Sequence, residues 1–91
     1  MMAMNRVNAI GLQYRLTEVM GEPDKTAIKM GGKQIIVNAN IHAISQAWYN
    51  WQQRGMFIQD AFPFFSSSER EFLMTGITEA EWNETFKEEE N

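Results

Sequence analysis

Two adjacent glycines constrain this chain more than any other feature. Gly31-Gly32 stands between Thr26-Ala27-Ile28-Lys29-Met30 and Lys33-Gln34-Ile35-Ile36-Val37. Glycine supplies the positive φ that two-residue hairpin turns demand at both central positions, so the pattern predicts an antiparallel hairpin. Pairing Met30 with Lys33 sets Ile28 opposite Ile35 and Thr26 opposite Val37. These residues share one face, the expected buried one, and Lys29, Gln34, Ala27 and Ile36 take the other. An isolated hairpin is barely stable in water. Leu12-Gln13-Tyr14-Arg15-Leu16-Thr17 alternates apolar with polar and reads as a third strand. The alternative is a helical stripe of Leu12, Leu16, Val19 and Met20, ended by Gly21 and Pro23.

Beyond the hairpin the period changes from two to about 3.6. Ile41, Ile44, Trp48 and Trp51, with Ala47 beside them, form one helical face. Asn38 or Asn40 caps this helix, and Gly55 follows its expected end at Arg54. Met56 to Phe62 reads as a further turn or two that Pro63 stops. Ser66 with Glu69, or Ser68 with Glu71, forms a capping box for a short helix over 69–74, which Gly76 closes; Ile77 then folds back onto Phe72. Thr78-Glu79-Ala80-Glu81 is a second capping box, with Ile77 and Trp82 at the staple positions and Phe86 on the face of Trp82. The expected architecture is α+β: a hairpin or three-stranded antiparallel sheet, then three short-to-medium helices. The 91 residues are read as one small domain, with 1–9 and 87–91 as flexible ends.

A domain this small needs its large side chains to stabilise it. Three Trp, six Phe and two Tyr supply them. There is no cysteine, which excludes disulfides, thiolate catalysis and Cys-based zinc sites and favours a reducing cytoplasm. No apolar run approaches a bilayer span, and Met1 to Ile10 does not read as a signal peptide. No membrane partner is expected.

Charge is unevenly divided. Residues 1–54 hold six basic groups against three acids, net +3, and residues 55–91 hold two against nine, net −7. Such an acidic half repels phosphate and favours basic partners. A helix bearing Glu79, Glu81 and Glu84 is ill suited to reading DNA, although Thr78 to Phe86 follows a helix-turn-helix-like turn. The hairpin's Lys25, Lys29 and Lys33 are too few to make direct nucleic-acid binding the expected function.

Candidate chemistry is sparse. His42 is the single histidine, and with no cysteine it cannot build a usual zinc site. Asp60 paired with a glutamate is conceivable acid–base chemistry, but the acids fall at helix caps and exposed helix positions. No glycine-rich phosphate loop is present. The reading is therefore non-enzymatic, with no cofactor and no metal. The aromatic concentration is the strongest feature: Trp48, Tyr49 and Trp51, then Phe57, Phe62, Phe64 and Phe65. Most are core, but the Pro63-Phe64-Phe65 loop is the expected exposed patch. Exposed aromatics beside acids suit a protein interface. The candidate partner-binding residues are Phe64, Phe65, Glu79, Glu84, Glu88 and Glu89.

Ile58-Gln59-Asp60-Ala61-Phe62-Pro63, then Ser68-Glu69-Arg70-Glu71-Phe72-Leu73-Met74-Thr75-Gly76-Ile77-Thr78, then Glu81-Trp82, resemble small uncharacterised proteins encoded by tailed bacteriophages and prophages. The resemblance covers roughly residues 48–86 and brings no activity and no functional residues with it. It implies a phage accessory protein acting in a bacterial host's cytoplasm. The expected function is that of a non-enzymatic binding module that occupies a host-protein surface, as anti-defence and host-takeover proteins do. An acidic face of this kind imitates nucleic acid toward a basic, nucleic-acid-binding host protein. The alternative is a small oligomeric structural or virion-associated protein, a homo-oligomer whose surplus aromatics are buried between copies.

Overall fold

The hairpin has the register that the glycines predict. In a computed structural model describing the backbone of residues 2–89 and the side chains of residues 2–84, Met30 faces Lys33, Ile28 faces Ile35 and Thr26 faces Val37. Of the two turn glycines only Gly31 has positive φ, at +61°. The turn is therefore of the kind that needs glycine at its first central position, not at both. The hairpin strands are β3 (Glu22–Met30) and β4 (Lys33–Val37).

Two more strands precede them. β2 (Gln13–Val19) pairs with β3, and β1 (Ala3–Val7) pairs with β2, giving an antiparallel sheet of order β1-β2-β3-β4. The Leu12–Thr17 stretch is thus a strand and not a helix. Tyr14 and Leu16 are buried while Gln13 and Arg15 are exposed. Gly21, at φ +77°, turns the β2–β3 hairpin, and Pro23 lies near the outer end of β3. β1 falls within the stretch expected to be a flexible lead-in. Its inward positions are Met4 and Arg6, so no apolar alternation marks it. Arg6 instead lays its aliphatic stem inward and hands its guanidinium to Ser45 Oγ.

Among the described residues four helices follow, not three, because a single turn stands apart from its neighbours. α1 is Ile41–Gln52, α2 Ile58–Ala61, α3 Ser67–Thr75 and α4 Glu79–Glu89. Asn40 caps α1, its side chain accepting from His42 N–H at 2.7 Å. The helix stops at Gln52, two residues short of Arg54, and Gly55 takes φ +72°. Ser66 and Glu69 form the reciprocal box on α3. Thr78 and Glu81 do the same on α4.

The core lies between one sheet face and the helices. Tyr14, Leu16, Ile28 and Val37 meet Ile41, Ile44 and Trp48 of α1, Phe62 and Phe65 around α2, and Phe72 and Leu73 of α3. Trp51 is only half-buried at the edge of this cluster. Polar side chains fasten the layers together. Tyr14 donates its hydroxyl to the Phe72 carbonyl at 2.6 Å, and burial pushes its phenol up to about 12. Asn8, 5% exposed, donates to the Leu73 and Met74 carbonyls and accepts from the Ile10 and Leu12 N–H groups. One side chain thus closes the β1–β2 turn and satisfies carbonyls at the end of α3.

Candidate interaction surfaces

The aromatic corner arises from how α2 begins and ends. Phe57 occupies the cap position of α2 with extended backbone (φ −63°, ψ 147°), so its side chain leaves the helix before the packed turn starts. It is 74% exposed. Pro63 prevents α2 from continuing past Phe62, and the chain doubles back through Phe64 and Phe65, where Phe65 N–H bonds the Phe62 carbonyl at 3.2 Å. Arg70 of α3 fixes this loop from beneath, donating to the Phe62 and Phe65 carbonyls at 3.2 and 2.8 Å.

The two loop aromatics take opposite roles. Phe64 is 49% exposed, as expected, whereas Phe65 is 4% exposed and belongs to the core. The expectation that both face a partner fails for Phe65 because the return of the chain turns consecutive side chains to opposite sides. Phe65 stacks on Phe62 with centroids 4.9 Å apart. Phe64 rests on both, 5.2 Å from Phe65 and 5.9 Å from Phe62. An exposed ring braced by buried rings keeps little rotamer freedom, so binding through it costs little ordering entropy. Met56 and Phe57 extend exposed apolar surface along the adjoining chain.

A second surface is acidic. Glu71 of α3 and Glu79 of α4 line a shallow hollow with Ser67, Ser68 and Trp82, of about 440 Å³. Glu79 also borders a cleft with Glu69, Ser66, Ser68 and the exposed Ile36. Glu84 is exposed further along α4, while the side chains of Phe86, Glu88 and Glu89 lie outside the described residues. The structure therefore gathers Glu79 with Glu69 and Glu71, two acids that sequence spacing marked only as helix-cap candidates, and places neither of these hollows against Phe64. Glu81 serves the fold. Its carboxylate accepts from Thr78 N–H at 2.9 Å and pairs with Lys33 Nζ at 3.0 Å, which holds it below the ordinary glutamate range. Lys33 also donates to the Gly76 carbonyl at 2.9 Å, locking the β4 end of the hairpin to the α3–α4 junction.

His42 is exposed on α1 and Asp60 is exposed on α2. Among the described residues, no three His, Asp or Glu side chains gather as metal ligands would, and no helix is long and apolar enough to cross a membrane. No protein-family model matches the chain, and neither a curated protein nor a solved structure does. The sequence places Phe57 in the aromatic concentration but does not mark it as exposed. The available signal was its place just after Gly55 and before a short amphipathic turn, where a cap side chain projects outward.

Proposed function

We propose that this protein is a non-enzymatic binding module that occupies a surface of a basic partner protein, with the aromatic corner as its anchor and the acidic α3–α4 surface as its electrostatic guide. One observation carries the reading: Phe64 is half exposed, yet braced by two buried rings. Preorganised aromatics of this kind dominate binding energy when they enter a partner's pocket. Glu71, Glu79 and Glu84 define the partner's charge, because clustered carboxylates attract a basic surface and speed its approach. The resemblance of residues 48–86 to tailed-phage proteins supports a phage accessory role. On this reading the partner is a host protein of the bacterial cytoplasm, one whose basic surface ordinarily meets nucleic acid.

Affinity capture from a bacterial lysate with the unaltered chain, run beside Phe64→Ala, tests the proposal. A basic host protein retained by the first and lost by the second supports it. Retention by both overturns the anchor assignment.

A further inference from the structure

We propose a second, separate binding site: the groove between β1 and α1 takes an extended segment of a partner protein, bearing acidic rather than basic side chains, as a fifth strand of the sheet.

β1 is a free edge, and the ladder fixes which of its groups face outward. Glu18 N–H bonds the Met2 carbonyl at 3.3 Å and Asn8 N–H bonds the Leu12 carbonyl at 3.1 Å. The register from Ala3↔Thr17 to Val7↔Gln13 is unbroken. Residues exchanging bonds with β2 are therefore the even-numbered ones, and Ala3, Asn5 and Val7 turn their backbone groups away from it. Two of the outward carbonyls are already held by side chains: Asn5 accepts from Arg6 Nη1 at 2.8 Å, and Val7 from Trp48 Nε1 at 2.9 Å. Among the described residues nothing accepts from the N–H groups of Ala3, Asn5 or Val7. The edge thus presents donors at every second residue, about 7 Å apart. That spacing matches the carbonyls of an extended chain, which adds to a free sheet edge as a further strand.

The space beside the edge fits such a chain. The groove between β1 and α1 measures about 660 Å³ and is lined by Arg6, His42, Gln46, Tyr49, Gln52 and Gln53, among others. Tyr49, 53% exposed, stands on the α1 wall. The amides can bond either polarity of a peptide group. On the other side of β1 a hollow of about 540 Å³ is lined in part by Gln13, Arg15 and Lys29. Alternate side chains of an added strand would enter these two spaces in turn. Neither lining contains an Asp or a Glu. Arg15 and Lys29 are directly opposite each other in the β2–β3 register. Like charges so placed repel, and an acidic side chain laid nearby relieves the repulsion.

The probe is a random-peptide display library selected on the folded chain, with enriched peptides resynthesised. The expected result is enrichment of acidic, extended sequences that protect the Ala3, Asn5 and Val7 amides from hydrogen exchange. Asn5→Pro removes one outward N–H and leaves the β2 ladder intact, since proline is tolerated on an edge strand facing solvent. It should weaken peptide binding about tenfold or more, through the lost bond and the steric block together. If Asn5→Pro does not fold, amide protection in the unaltered chain and the binding of Tyr49→Ala decide the matter. Peptides that leave the three amides exchanging freely, or that bind Asn5→Pro undiminished, overturn the proposal. So does protection that grows with protein concentration in the absence of peptide, which would assign the edge to a second copy of this chain.

Discussion

Gly76 joins α3 to α4, and the cost of giving it a side chain can be worked from its surroundings. Its φ is +76°, a conformation that costs an ordinary L-residue roughly 1–2 kcal/mol. A methyl group there would also run into Met30 Cε and sit 3.4 Å from Leu12 Cδ1. Gly55 is the internal control, at φ +72° with nothing near the position a methyl would take. Alanine at either site loses less unfolded-chain entropy, which returns about 0.4–1 kcal/mol. Gly55→Ala should therefore cost about 0.5–1 kcal/mol. Gly76→Ala adds an overpacking penalty at the low end of the usual range, about 1 kcal/mol, because the methyl meets the movable end of Met30, so its total should be about 1.5–2 kcal/mol. Met30 ends in a flexible thioether, and truncating it should recover the excess. A double-mutant cycle of Gly76→Ala with Met30→Ala is expected to show coupling of about 1 kcal/mol. Urea unfolding followed by Trp fluorescence reads the unaltered chain and all four variants. Equal losses for Gly55→Ala and Gly76→Ala, with no coupling to Met30, would refute the packing argument.

Asn8→Ala leaves two N–H groups and two carbonyls short of partners and should destabilise the domain by about 3 kcal/mol or more, read in the same unfolding assay. Thr78→Ala should cost about 1 kcal/mol through the lost cap of α4, visible as a lowered melting temperature. Glu81 has a depressed folded-state pKa, so its stabilising effect is present above the ordinary glutamate range and lost as pH falls through the lower folded value; Glu81→Gln should flatten the acid limb of the stability profile. Tyr14 has the opposite sense. Its neutral phenol is favoured by folding, so stability should fall as pH rises from 10 toward 12, and an ultraviolet titration of Tyr49→Phe should show Tyr14 ionising late.

Local signals made the hairpin and helix boundaries legible. The Gly-Gly pair fixed the β3–β4 register, and the reciprocal boxes at Ser66 and Thr78 marked two helix starts. β1 was not legible, because Met4 and Arg6 give no apolar alternation and the helix partner of Arg6, Ser45, lies thirty-nine residues away in the chain. The same distance effect hid Asn8 and Lys33, whose partners lie on α3 and at its end. Exposure in the Phe64-Phe65 pair depended on the path of the chain after Pro63, which no spacing rule supplies. Burial of Trp48 followed directly from its helical stripe. The interrupted helix at Gln53, by contrast, left Trp51 at the rim of the core.

The central claim is that an exposed, braced aromatic anchors a partner while acids steer it. Association and dissociation rates of the captured host protein, measured against salt for the unaltered chain and for Phe64→Ala, test this most directly. The account predicts that salt slows association of both chains, and that Phe64→Ala speeds dissociation by on the order of thirtyfold, the effect of an interface hot spot. Dissociation unchanged by Phe64→Ala, together with association indifferent to salt, would contradict it and reduce both surfaces to solvent-facing parts of the fold.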